Sequence, residues 1–437
     1  MTLAEWLDRQ ESVHARSIDL GLERVARVAR ALQIDRPPFR IVTVAGTNGK
    51  GSTVAWLDSV LRASGYRTGA LTSPHLLRYN ERVRIDGAQA GDAALVSAFE
   101  RIEQARGRTT LTFFEYNALA GLLVFADCAV DVAVLEVGLG GRLDATNVVD
   151  PDVAVLCSVG LDHRDWLGDT LESIGTEKAG IFRTGRPAVL GTPEMPGTVY
   201  ATIERLAARP LIAQRDFTWT VGAEGWSYHG VRAELAELPR PALEGAVQYG
   251  NAATAFAAYE SLPDARALTA AAASAALRSA HVPGRFQIIR LPAPGQAETV
   301  EWILDVAHNE PAARVLAANL RARPVAGKTH AVCGILRDKD AEAIGRELRD
   351  LIDEWILCGL PGARGSSASE LARRMAVATG APHLVASVRE GCELARAQAR
   401  PGDRVVAFGS FATVASTLEW VGYTDIDARA RPLREYA

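Results

Sequence analysis

Apolar residues recur along the chain in short, nearly unbroken runs at 41–45, 67–72, 131–137, 152–159 and 186–191. Apolar positions at helical spacing fill most of the intervals, at 53–64, 92–105, 115–127 and 170–182. Strands apolar on both faces, alternating with helices, predict a doubly wound, mostly parallel sheet of the α/β class. Residues 216–247 break the rhythm. There "FTWTVGAEGWSYHG" alternates, carries aromatics and has glycine turns, which predicts a small antiparallel element. Helical spacing returns at 251–262 and 268–280. The stretch "HVPGRFQIIRLPAPGQAE", 281–298, holds three prolines and two glycines and reads as a boundary. A second alternating series follows, with strands expected near 300–306, 329–335, 354–359, 383–387 and 403–408. Helical spacing fills its gaps at 311–322, 339–352, 367–379 and 388–398. The chain is therefore expected to form one α/β domain over 1–284 and a smaller one over 285–437. Two such domains joined by a short hinge imply a cleft for small ligands.

A length of 437 residues suits two to three domains, each large enough for its own core. The net charge is −4 and the basic residues are scattered, which argues against a nucleic-acid partner. The five cysteines, at 128, 157, 333, 358 and 392, form no CxxC pair and read as reduced packing residues. The N-terminal "MTLAEWLDRQESVHARS" lacks an apolar signal region, and the longest small-apolar run, 267–277, is too short to span a bilayer. A cytoplasmic protein without a membrane partner is expected.

The candidate chemistry begins at "VTVAGTNGKGSTVAWLDSVL", 42–61. A strand, a glycine turn and a helix start suit an anion such as phosphate. Glycines permit close backbone approach, and the helix start offers unpaired N–H groups at a positive dipole end. Lys50 adds a full charge, while Ser52 or Thr53 either caps the helix or binds a metal. The loop departs from the Walker pattern G-x-x-x-x-G-K-[ST], because Val44 replaces the first glycine and Gly51 follows the lysine. A plain strand–helix turn is the alternative. Other expected strand ends carry Ser73, Glu136 and, just beyond the strand, Asp162 and His163. In open α/β sheets such ends face the ligand. A carboxylate ending a buried strand needs a partner, either Mg²⁺ or a structural ion pair. The "GLGG" at 138–141 does not complete a dinucleotide fingerprint, since position 143 is leucine.

The ordered motifs "GTNGKGST", "TSPHLLRYNERVR", "LTFFEY", "LEVGLGGRLDATN", "LDHRDWLG", "EKAGIFR", "PGRFQ" and "DVAHN" resemble the folylpolyglutamate synthase family. The likeness is greatest to its bacterial branch that is bifunctional with dihydrofolate synthase, within the Mur ligase superfamily, and covers about residues 19–415. It implies a P-loop-type, Mur-central domain followed by a Rossmann-like glutamate-ligase domain. The implied reaction is ATP-dependent addition of L-glutamate to dihydropteroate, and to the γ-carboxylate of reduced folates, through an acyl phosphate. By motif position, Thr47, Asn48, Gly49, Lys50, Gly51 and Ser52 match the ATP phosphate loop. Ser73, Glu136 and His163 match Mg²⁺ ligands, with two ions expected. Asn251, Arg285 and Asp305 match ATP-binding positions, the last two at or beyond the boundary, so that domain closure would complete the site. His308 and Ser410 are candidates for glutamate binding or catalysis, with helix capping the alternative for His308.

The resemblance also implies that Lys178 is carried as a carbamate. That requires a neutral amine, whereas a lysine of pKa ~10.4 is neutral only about one part in 2,500 at pH 7. The alternative is an ordinary lysine paired with Glu177 or Glu172. Dihydropteroate binding is implied for Asp19 and Leu20, for Thr112, Phe113, Phe114 and Glu115, and for Leu143, Asp144 and Ala145. Phe113 and Phe114 read equally as a hydrophobic staple. Gly250 stands where the family often has proline, and Arg337 and Ala412 where bacterial relatives have histidine. The family suggests a monomer. A folate-only synthase, a peptidoglycan-type Mur ligase, a regulatory P-loop ATPase and a folate-binding module are the rival functions. Only about 40 residues precede the loop, too few for the extra N-terminal domain a Mur ligase needs.

Overall fold

The runs of branched apolar residues form strands buried on both faces. The computed structural model describes residues 1–15, 18–293 and 298–423. It divides into two units, Met1–Ala242 with Gln248–Ala280, and Leu243–Val247 with the described residues from His281 to Tyr423.

In the first unit α1 (Leu3–Val13) and α2 (Glu23–Ala31) precede β1 (Arg40–Ala45) and α3 (Lys50–Ala63). Next come β2 (Thr68–Leu71), β3 (Val83–Ile85), β4 (Ala88–Gln89), α4 (Asp92–Arg106) and α5 (Phe113–Asp127). The strands β5 (Val132–Glu136) and β6 (Val153–Leu156) lead to the single turn α6 (Arg164–Leu167) and to α7 (Leu171–Ala179). Then follow β7 (Pro187–Leu190), α8 (Gly197–Leu206) and β8 (Arg209–Ile212). The sheet order is β4-β3-β2-β5-β1-β6-β7-β8, with every pairing parallel except those β3 makes with β2 and β4 at one edge. On one face Ile41, Leu71, Ala133 and Leu135 share a core with Phe99, Leu119 and Phe125 of α4 and α5, and with Trp6 and Val25. The alternation at 216–247 resolves into a three-stranded antiparallel sheet of β9 (Thr218–Val221), β10 (Trp226–His229) and β11 (Glu234–Leu238). Its buried Trp226 and Tyr228 pack on Phe256 of α9 (Val247–Glu260), which α10 (Ala270–Ser279) follows.

The second unit starts with β12 (Gln287–Pro292), β13 (Thr299–Asp305) and α11 (Glu310–Arg321). It continues through β14 (Thr329–Cys333), α12 (Ala341–Leu348), β15 (Glu354–Cys358), α13 (Ala368–Arg374) and α14 (Ala376–Thr379). The last elements are β16 (His383–Val385), α15 (Val388–Gln398), β17 (Arg404–Phe408) and α16 (Phe411–Trp420). The sheet order is β12-β13-β17-β14-β15-β16, with β12 alone antiparallel.

The stretch 281–298 is thus not a plain linker. Its middle is the edge strand β12, hydrogen-bonded to β13 from Gln287↔Leu304 to Pro292↔Thr299. Proline is tolerated there because an edge strand needs partners on one side only. Pro294 and Gly295 lie outside the described residues. The helices α1, α2, α6, α8 and α16 were not foreseen, nor were β3, β4 and β8. All five cysteines are free, and all but Cys128 are buried, Cys392 included. Among the described residues no helix is long and apolar enough to cross a membrane.

Candidate functional site

β1 ends by opening the loop expected to hold phosphate. Gly49 holds φ at +87°, and a Cβ there would lie 3.1 Å from Asn251 Oδ1, so the position favours glycine on both counts. The loop is strapped to the segment after β6. The Thr47 N–H donates to the Ser158 carbonyl at 2.9 Å, and the Asn48 N–H to Ser158 Oγ at 3.0 Å. Thr47 Oγ1 accepts the Gly160 N–H at 2.9 Å. The amides of Thr47 and Asn48 therefore shape the loop, while α3 starts at Lys50 and presents its first-turn N–H groups. Lys50 Nζ is folded back onto the carbonyls of Gly46 (3.0 Å) and Thr47 (3.4 Å). Gln248, which the sequence did not single out, links Ser52 Oγ to the Asn251 amide at 3.5 and 3.2 Å.

The strands β2, β5, β1 and β6 are consecutive in the sheet, so their C-terminal ends share one edge. Glu136 lies in register with Val44, immediately beside the strand that opens the loop. Its buried carboxylate accepts the Ser73 N–H at 3.1 Å. His163 has φ of +51° at the start of α6, left-handed backbone that is uncommon for a residue with a side chain. Ser73, Glu136 and His163 offer one hydroxyl, one carboxylate and one imidazole. Among the described residues no group of three or more His, Cys, Asp or Glu is set to hold a metal. A hydroxyl, a carboxylate and an imidazole are donor types compatible with a hard divalent cation that completes its shell with phosphate oxygens and water.

Arg82, also missed, is buried near Glu136. Its Nε donates to His75 Nδ1 at 2.7 Å, and its guanidinium lies 5.3 Å from the Phe113 ring and 5.7 Å from the Tyr79 ring. Burial, reinforced by Arg82, pushes His75 down to about 4, so its ring is neutral with Nδ1 as acceptor. Lys178, in the last turn of α7, is 5% exposed. Burial lowers its pKa to about 7. The like charge of Lys50 acts in the same sense, and Asp162 and Asp144 oppose it. Burial holds the Cys157 thiol up to about 11, and the charges of Lys50, Glu136 and Lys178 all reach it. The loop lysine, the strand-end carboxylate and the buried lysine therefore all lie within electrostatic range of Cys157.

The three segments expected at the pterin also come together. Arg24 joins Asp19 (2.7 Å) to the buried Glu115 (3.3 Å). His14 lies 3.1 Å from Asp19, beside Leu20. Thr112 and Glu115 form a reciprocal capping box at the start of α5, so both side chains also build the helix end. Phe113 and Phe114 are half-buried, packed on the core without being enclosed by it. A Cβ on Gly138 would meet Phe114 Cζ at 2.6 Å, which places that ring on the 138–145 loop. Asp144 shapes this loop, accepting N–H groups from Gly138, Leu139 and Thr146 and the Thr146 hydroxyl at 2.6 Å. Leu143 and Ala145 flank it.

In the second unit, Asp305 ends β13 and accepts the N–H groups of Phe286 (2.9 Å) and Ala307 (2.8 Å). Burial raises its carboxyl pKa, against the nearby charges of Arg285 and His308. His308 Nδ1 lies 2.8 Å from the Val306 carbonyl. It does not cap the next helix, a place Asn309 takes by accepting the Ala312 N–H. Ser410 is buried and caps α16.

Residues 44–190 match the Mur ligase middle domain, and residues 284–411 match the Mur ligase glutamate ligase domain. A dihydrofolate synthase/folylpolyglutamate synthase of Escherichia coli K12 is 43% identical over 419 residues, 95% of each chain. The solved structure of Escherichia coli FolC in complex with DHPP and ADP is similar with a TM-score of 0.90 at 42% identity, covering 97% of this chain and 98% of that one. A bifunctional folylpolyglutamate synthase/dihydrofolate synthase with Mn, AMPPNP and L-glutamate bound is similar with a TM-score of 0.87 at 41% identity and the same coverage. Near-identical length, both domain matches and this identity agree: the chain belongs to the bifunctional dihydrofolate synthase/folylpolyglutamate synthase family of ATP-dependent carbon–nitrogen ligases.

Proposed function

We propose that the chain joins L-glutamate to dihydropteroate and to the γ-carboxylate of reduced folates, through an acyl phosphate made from ATP. The observation that carries this is the register Val44↔Glu136, which sets a buried carboxylate beside the phosphate loop at one sheet edge. A substrate carboxylate oxygen attacks the γ-phosphorus of ATP and ADP leaves. The amine nitrogen of glutamate then attacks the acyl carbon, loses a proton, and inorganic phosphate departs as the amide forms.

Both ATP and the acceptor carboxylate are anions. Lys50 and the first amides of α3 hold the phosphates and oppose their charge. Gly49, Gly51 and Ser52 complete the cradle, with Thr47 and Asn48 shaping it and Asn251, Arg285 and Asp305 serving the nucleotide. Ser73, Glu136 and His163 hold Mg²⁺, two ions in all, which when bound supplies further charge neutralisation at the transferring phosphate. Lys178 carries a carbamate, for which an amine with a pKa of about 7 is suited. Asp19, Leu20, the 112–115 segment and residues 143–145 receive the pterin, while His308 and Ser410 serve the incoming glutamate. The protein acts as a cytoplasmic monomer on small molecules. Free cysteines and a scattered net charge of −4 accord with this.

The test is phosphate release with ATP, Mg²⁺ and L-glutamate, using 7,8-dihydropteroate in one reaction and tetrahydrofolate in another. Glutamate-dependent release with both is expected. Release with tetrahydrofolate alone would restrict the chain to tail extension and return Phe113 and Phe114 to packing. Turnover of ATP without either folate or glutamate would instead mark a regulatory ATPase.

A further inference from the structure

Phe411 carries no chemistry of its own, yet it stands between two side chains that do. It opens α16 directly after Ser410, whose Oγ accepts the Thr413 N–H at 3.0 Å. Thr413 Oγ1 in turn donates to the Gly334 carbonyl at 2.8 Å. The backbone that presents the ring is thus anchored on both sides, while the ring itself stays half-buried. The Arg285 guanidinium lies 5.3 Å from its centroid. The His308 ring lies 6.1 Å away, tilted by 51°. Both also act on Asp305, whose carboxyl feels the charge of each. Asp305 is itself fixed by two backbone N–H groups, so Arg285 and His308 both feel one rigid anion and both stand against one anchored ring.

We infer that Phe411 is a positioning residue which sets the Arg285 guanidinium and the His308 imidazole together, so that use of nucleotide and use of glutamate depend on one aromatic ring. The inference rests on the roles proposed above for Arg285 and His308. The physical reason is entropy and direction. A free arginine side chain has many rotamers, and an aromatic face restricts them while attracting the cation. An aliphatic side chain fills part of the same volume but offers no such face.

The experiment measures steady-state kinetics of the full chain for Phe411→Leu, Phe411→Tyr and Arg285→Ala, with melting temperatures alongside. Phe411→Leu should raise KM for ATP and for L-glutamate, each about three- to thirty-fold, the size expected for losing one partly desolvated cation–π contact. KM for dihydropteroate, whose segments belong to the first unit, should stay unchanged. Phe411→Tyr keeps the ring and should restore both constants. A folded Phe411→Leu with both constants unchanged overturns the inference, as does failure of tyrosine to restore them. Arg285→Ala separates the two levels. If it leaves KM for ATP unchanged, the role of Arg285 is wrong. If it raises that KM while Phe411→Leu does not, only the role of Phe411 is.

Discussion

Lys178 shows how much one buried side chain constrains. Its ammonium is desolvated, and the like charge of Lys50 adds to the penalty. An ordinary structural lysine would be stabilised by its partners, and its pKa would be raised. Here it is lowered to about 7, so the unfolded chain binds more protons than the folded one between pH 7 and the unfolded value of ~10.4. The destabilisation is therefore complete below pH 7 and fades as pH rises towards 10. Lys178→Met should raise the melting temperature of metal-free protein in bicarbonate-depleted buffer, most at pH 6 and least near pH 10, while abolishing ligation. A melting temperature that falls at pH 6 would return Lys178 to a structural pairing role. In the wild-type chain, activity that depends on the neutral amine should rise with pH through about 7. Arg82 is the contrary case, for nothing in "RYNERVR" distinguishes it. Arg78 is exposed, Arg84 is half-buried and Arg82 is buried beside Glu136, a difference set entirely by which residues face the sheet edge.

Among the elements, ends matter more than middles. The apolar periods locate α3, α4 and α5 to within a few residues, because burial of one face is their main source of stability. The capping box Thr2-x-x-Glu5 marks α1 in the same local way, and Thr112-x-x-Glu115 marks α5. The 138–146 loop has no such period. It is held by the carboxylate of Asp144, which accepts three N–H groups and one hydroxyl. Asp144→Ala should leave these donors without their buried partner and cost about 1–3 kcal/mol. It should also raise KM for dihydropteroate more than KM for ATP, measured by phosphate release. Equal rises in both would mean the loop supports the whole sheet edge and not the pterin alone. The edge strand β12 was hidden for a different reason. The prolines of 281–298 read as punctuation in sequence, and only pairing with β13 gives Gln287–Pro292 a strand's hydrogen bonds.

At the scale of the molecule, strand order decides the chemistry. The chain visits β1, β2, β5 and β6 separated by helices and loops, yet the sheet sets them side by side as β2-β5-β1-β6. If nucleotide and metal bind this edge together, ADP with Mg²⁺ should stabilise the protein by about 2.7 kcal/mol at a hundredfold excess over Kd. EDTA should remove most of that gain in a thermal melt. Stabilisation by ADP that ignores EDTA would argue against Ser73, Glu136 and His163 as metal ligands. The fold class, the antiparallel element and the strand–glycine-turn–helix at 42–61 were legible in the sequence alone. Each depends on local periodicity, glycine turns or a contiguous motif, and local patterns survive in a one-dimensional record. What the tertiary structure alone decided was proximity. It joined Asp19 to Glu115 through Arg24, Ser52 to Asn251 through Gln248, and Arg285 to His308 through Phe411. It also lowered the Lys178 pKa by burying its amine within reach of the Lys50 charge. These contacts span long stretches of chain, and desolvation is a property of what surrounds a group, so neither is written in the residues on either side of it.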